Sequence, residues 1–119
     1  MAYARPVVHF EIHGKDPKKL QDFYAQLFGW QIDANNPMSY GFVSPGIGGP
    51  EEGVGGGITA SPNAPFVTIY VQVESLDDTL KQVESMGGKT LMPPMDVPNG
   101  PTVAMFSDPE GNAIGLVKQ

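Results

Sequence analysis

The feature that most constrains this chain is an internal repeat with a spacing of 59 residues. At that offset Phe10 falls on Ile69, Ile12 on Val71, Asp16 on Ser75, Gly29 on Gly88 and Ile32 on Leu91. Strand, helix start and helix stop therefore recur in the same order. Two copies of one supersecondary unit, each too small to bury a core alone, are the simplest account of such a match.

Each copy reads as β-α-β-β-β. In the first, Val7 to Ile12 alternate Val8, Phe10 and Ile12 with His9, Glu11 and His13, the two-residue period of a strand with one face in a core. Asp16 before Pro17 is a helix N-cap with proline at the first helical position. Leu20, Phe23, Tyr24 and Leu27 then recur at helical spacing until Gly29. Trp30 to Asp33, Tyr40 to Val43 and Gly55 to Thr59 are short strands between Asn-, Pro- and Gly-rich turns. In the second copy Phe66 to Val73 places Val67, Ile69, Val71 and Val73 on one face. Ser75 begins a helix with Leu76, Leu80 and Val83 as its apolar stripe, and Gly87-Gly88 ends it. Lys89 to Met92, Thr102 to Ser107 and Ala113 to Lys118 are the remaining strands. The expected fold is a single α+β domain, residues 1–119, of two tandem modules at about 7–59 and 66–118.

Thirteen acidic against seven basic residues give a net charge of −6, which argues against a nucleic-acid partner, since phosphate recognition needs clustered Lys and Arg. With no cysteine, disulfides, thiolate catalysis and thiolate-bound zinc are excluded. No apolar run is long enough to span a bilayer, and Met1 leads directly into strand-like sequence, so a cytoplasmic address without membrane association is expected.

Phe23-Tyr24 followed by Leu27-Phe28-Gly29-Trp30 resembles the end of the first helix in vicinal oxygen chelate proteins, the glyoxalase, bleomycin-resistance and extradiol-dioxygenase group. Asp108-Pro109-Glu110-Gly111-Asn112 resembles the turn before their last strand, so the likeness runs from about Val7 to Val117. It implies two βαβββ modules forming curved mixed sheets around a cup. Metal ligands in that family stand on the first and last strands of each module. The resemblance carries those positions to His9, Gly56, Thr68 and Gly115, of which only His9 offers a metal-binding side chain. No cofactor is therefore expected, with a divalent metal as the alternative. The same fold hosts lyases, dioxygenases and drug-binding proteins and does not choose among them.

His9, Glu11 and His13 share one strand face, with neighbours about 6.5 to 7 Å apart, so one small substrate can touch and exchange protons with His9 and Glu11. These two are the catalytic candidates. By the family geometry Phe66, Thr68, Tyr70 and Gln72 face the same cup and join them as ligand-binding candidates, aromatic walls with hydrogen-bonding groups between. Trp30 fits core or dimer packing. The glycine-rich stretch from Gly46 to Gly57 matches neither a dinucleotide fingerprint nor a P-loop and is expected to be a hairpin loop beside the cup. Met92-Pro93-Pro94-Met95 with Pro98-Asn99-Gly100-Pro101 is expected to form a flexible rim. The expected function is metal-independent binding of a small apolar or oxygenated metabolite or antibiotic, with acid–base chemistry by His9 and Glu11. The alternative is a metal-dependent lyase or dioxygenase. A homodimer is expected, mainly from the resemblance.

Overall fold

The computed structural model describes residues 4–44 and 53–118. Its elements run β1 (Val7–Gly14), α1 (Pro17–Phe28), β2 (Ile32–Asp33), β3 (Gly41–Val43), β4 (Gly56–Ala60), β5 (Phe66–Val73), α2 (Leu76–Ser85), β6 (Lys89–Asp96), β7 (Thr102–Ser107) and β8 (Ala113–Lys118). This is the α+β, twice βαβββ order that the repeat predicts. By internal contacts the chain divides into two compact units, His9–Val67, and the residues up to Val8 together with Thr68 onward.

Both units use one strand plan. In the first, β2 and β3 are antiparallel, β3 and β4 are antiparallel, and β4 lies parallel to β1. In the second, β6, β7 and β8 are antiparallel neighbours and β8 lies parallel to β5. The helix between a module's first strand and the rest is the crossover that a parallel pairing requires. Its start is chemically marked in each copy. The Asp16 carboxylate accepts the Lys19 amide at 3.1 Å, and the Ser75 hydroxyl accepts the Asp78 amide at 3.2 Å. Gly29 ends α1 at φ 69°, where a side chain would be strained.

The core of the second unit gathers Val73, Leu76, Leu80, Ala104 and Leu116, with Val71 and Phe106 against it. Val67 and Ile69, expected on this face, are exposed, because the packed region begins further along β5. α1 also differs from expectation. Phe23 and Leu27 are 55% and 57% exposed, whereas Gln21 is buried. Its side-chain amide donates to the Ile58 carbonyl at 3.0 Å, tying helix to β4, and Leu20 and Tyr24 flank it half-buried. Trp30 is packed among the rings of Phe10, Tyr24 and Phe28 at 5.3 to 5.5 Å.

Met92-Pro93-Pro94-Met95 is not a flexible rim. β6 runs through both prolines, which fall in the register shift between the Met92–Met105 and Met95–Val103 pairs, where an outer strand tolerates a missing donor. The Asp108–Asn112 motif is a self-capped turn. The Asn112 amide side chain and backbone, then the Glu110 backbone, donate to Asp108, hold its carboxyl below the usual range, and Gly111 supplies φ 95°. Of the glycine-rich stretch, Pro50 and the glycines before it lie outside the described residues, and Gly56 and Gly57 belong to β4.

Candidate functional site

β1 alternates two environments. Phe10 turns to the Trp30 side, while His9, Glu11 and His13 turn to the other. β3 and β4 continue this second face: Glu11 is paired with Gly57, Gly57 with Phe42, and Tyr40 stands two residues before Phe42 on the same side. Tyr40 is held there from behind. The Asn36 side-chain amide donates to the Tyr40 carbonyl at 2.7 Å and accepts the Tyr40 amide at 2.9 Å.

The result is a connected chain of polar groups. The Tyr40 hydroxyl donates to Glu11 Oε2 at 2.7 Å, and His9 Nε2 lies 2.8 Å from the same hydroxyl. The only phenolic proton is committed to Glu11, so His9 Nε2 carries a proton and donates to the phenolic oxygen. From the other end His13 Nε2 donates to Glu11 Oε1 at 2.7 Å. Glu11 is 9% exposed and thus accepts from both sides, as a buried carboxyl must. Burial moves the His9 imidazole below its ordinary value near 6.5, with the charge of Glu11 opposing the shift. A neutral His9 next to an acceptor-poised Glu11 is a pair with separated acid–base roles.

Of the sequence candidates, His9, Glu11, His13 and Phe66 meet in the unit 9–67, with Phe66 stacked on His13 at 4.1 Å and 11°. Thr68, Tyr70 and Gln72 share a face of β5 in the other unit. The Thr68 hydroxyl donates to the Ala113 carbonyl at 2.7 Å, and the Tyr70 ring lies over Gly115, where an added Cβ would come within 2.5 Å of it. Gly56 requires a correction. In the first unit Gly56 pairs with Phe10, whereas in the second Gly115 pairs with Tyr70, the repeat equivalent of Glu11 rather than of Phe10. One residue of register reverses the face, so Gly56 points to the Phe10 ring and Gly57 takes the site-facing position. A Cβ on Gly57 would overlap the Tyr40 hydroxyl, so the bare backbone there is what admits the phenol. Tyr40 and Gly57 were not singled out from sequence. The alternation of Tyr40 with Phe42 and a glycine inside a strand were the available signals.

The donor set does not suit a metal centre. Among the described residues no group of three His, Cys, Asp or Glu side chains converges as metal ligands, and His9 Nε2 and both Glu11 oxygens are committed to neighbours.

A model of the Glyoxalase/Bleomycin resistance protein/Dioxygenase superfamily matches residues 7–116. The chain belongs to this superfamily. It is 32% identical over 109 residues to a glyoxylase-like domain-containing protein of Didymella fabae, covering 86% of this chain and 84% of that one. To the anthracycline biosynthesis protein DnrV of Streptomyces peucetius it is 27% identical over 122 residues, covering 90% of this chain. The chain spans 44% of that relative, and 42% of a Mycobacterium tuberculosis relative with 29% identity, less than half the length of each. A superfamily member from Vibrio splendidus has the same fold, with a TM-score of 0.66 at 14% identity, over 98% of this chain and 100% of that one. Methylmalonyl-CoA epimerase of Mycobacterium tuberculosis superposes with a TM-score of 0.63 at 14% identity, over 94% and 86% of the two chains. Among the described residues no helix is long and apolar enough to cross a membrane.

Proposed function

We propose that the chain binds a small oxygenated metabolite at the His9–Tyr40–Glu11 chain and moves a proton there without a metal. The observation that carries this is the Tyr40 hydroxyl, 2.7 Å from Glu11 Oε2 and 2.8 Å from His9 Nε2. On binding, the single N–H of neutral His9 turns from the Tyr40 oxygen to a ligand oxygen, Glu11 accepts a proton from the ligand, and the Tyr40 hydroxyl holds Glu11 in place. His13 stabilises the charge on Glu11 from its other oxygen. Thr68, Tyr70 and Gln72 are proposed to contribute further ligand contacts. The names of two similar proteins, an anthracycline biosynthesis protein and a methylmalonyl-CoA epimerase, agree with an oxygenated ligand. A homodimer is part of the same proposal.

The test is a thermal-shift screen of 2-oxo acids, hydroxy acids and catechols, followed by NMR of each hit in D₂O. Wild type should exchange a ligand C–H for deuterium, Glu11→Gln should bind without exchange, and His9→Gln should weaken binding. Hits indifferent to both substitutions would overturn the site. The metal-dependent alternative makes the opposite prediction for protein purified without chelator. About one zinc, nickel, manganese or iron per chain, lost in His9→Ala together with a chelator-sensitive melting temperature, would establish it; a metal-free protein with an unchanged melting temperature is expected.

A further inference from the structure

A concavity lies within the unit 9–67, where the end of β1 meets the first turn of α1 and the start of β5. It is an open groove of about 540 Å³, within the range of small-molecule pockets. Its lining includes Phe23, Tyr24, Phe66 and His13, together with Lys15 and Lys19.

We propose that this groove binds a small planar aromatic anion and that His13 transmits its occupancy to Glu11. Three observations converge. First, the walls are flat rings: Phe66 already stacks on the His13 imidazole at 4.1 Å, and Phe23 meets Tyr24 edge to face at 5.1 Å, so a planar guest finds both faces and edges. Second, the charge is positive against the trend of the molecule. In a chain of net charge −6 with seven basic residues, two of them line this groove. Lys18 beside them pairs with Asp22 at 2.7 Å, but among the described residues neither Lys15 nor Lys19 is in an ion pair. Asp16 is the acidic lining residue, and one of its oxygens caps the helix by accepting the Lys19 amide. Two lysines and several aromatic rings lining one groove select a carboxylate on a ring. Third, His13 belongs to both places, lining the groove while donating to Glu11 at 2.7 Å. A guest in contact with the His13 ring reorients the imidazole that donates to Glu11, whose other oxygen holds Tyr40. Glu11 is bonded to His13, and Lys15, Asp16 and Lys19 are the charged groups that line the groove with it; the guest adds a further charge.

Filling of the groove does not require proton transfer at the Tyr40 bridge, so the two proposals fail separately. The probe is 2-naphthoate, with 2-naphthamide as its uncharged counterpart, titrated into the isotope-labelled full chain and followed by NMR. Saturable shifts at His13, Lys15, Lys19 and Phe66 are expected, with the amide binding at least tenfold more weakly. Lys15→Gln with Lys19→Gln should weaken naphthoate by a similar factor while the melting temperature stays within a degree or two, and added salt should weaken wild type more than this variant. Coupling predicts that naphthoate also moves the Tyr40 resonances, and that Glu11→Gln abolishes this movement while binding persists. Equal binding of acid and amide, or undiminished binding by the lysine variant, would overturn the anion site. Lysine-dependent binding that leaves Tyr40 unmoved would overturn the relay.

Discussion

Tyr40 joins His9 to Glu11 through one oxygen, so its removal isolates the contribution of the bridge. Tyr40→Phe keeps the ring beside Phe42 and deletes only the hydroxyl. Loss of a hydrogen bond to a buried carboxyl costs about 1 to 3 kcal/mol, readable as a lower midpoint in urea unfolding. A midpoint equal to wild type would show that the bridge is not formed in solution. His9 gives the pH counterpart. Its folded value lies below the ordinary 6.5, so the unfolded chain binds more protons in the interval between the two values. Stability therefore rises with pH through that interval, is fully present above about 6.5, and is lost on acidification toward the folded value. NMR titration should place the His9 midpoint below 6.5, and His9→Gln should flatten this part of the stability profile, whereas a midpoint above 6.5 would reverse the sign. Glu11 and His9 were legible in the sequence as a same-face pair. Tyr40 was not, because its partners are 29 and 31 residues away and join it only once β3 has docked on β4.

At the scale of the element, helix starts and most strand bounds were legible because local chemistry sets them: Asp16-Pro17 and Ser75 cap where expected, and β5, β7 and β8 have the bounds read from sequence. What alternation could not determine was register. The repeat places the first strands in step at 59 residues, yet the last strands differ by one, and that step exchanges Gly56 for Gly57 in the site. Hydrophobic spacing likewise pointed α1 by Phe23 and Leu27, whereas a polar tie from Gln21 to the Ile58 carbonyl selects the buried face. Two substitutions test these placements. Gly57→Ala puts a methyl where the phenol lies and should move the Tyr40 and His9 resonances together; unchanged resonances would contradict the β1–β4 register. Gln21→Ala should cost about 1 to 2 kcal/mol in urea unfolding, and a neutral effect would show the tie to be solvent-replaceable.

For the whole molecule, the expectation of a dimer rests on different surface than edge strands. The outer strands protect themselves: β2 is only two residues long, and β6 carries two prolines and shifted register, both poor templates for pairing another chain. The exposed face of α1 is the stronger argument. Leu27 and Phe28 are each 57% exposed and Phe23 nearly as much, on consecutive turns of one helix, an apolar stripe that water covers at a cost. Symmetric pairing of two α1 faces, the commonest closed arrangement, removes it from water in both copies at once. Light scattering through a dilution series should then give twice 12.7 kDa without dependence on concentration. Leu27→Lys places an ammonium on this stripe, outside the ring cluster of Tyr24, Phe28 and Trp30, and should shift the mass toward one chain while changing the unfolding free energy of the separated chain by less than about 0.5 kcal/mol. A wild-type mass of one chain at micromolar concentration would rule out a stable dimer. A doubled mass unaffected by Leu27→Lys would place the interface away from α1.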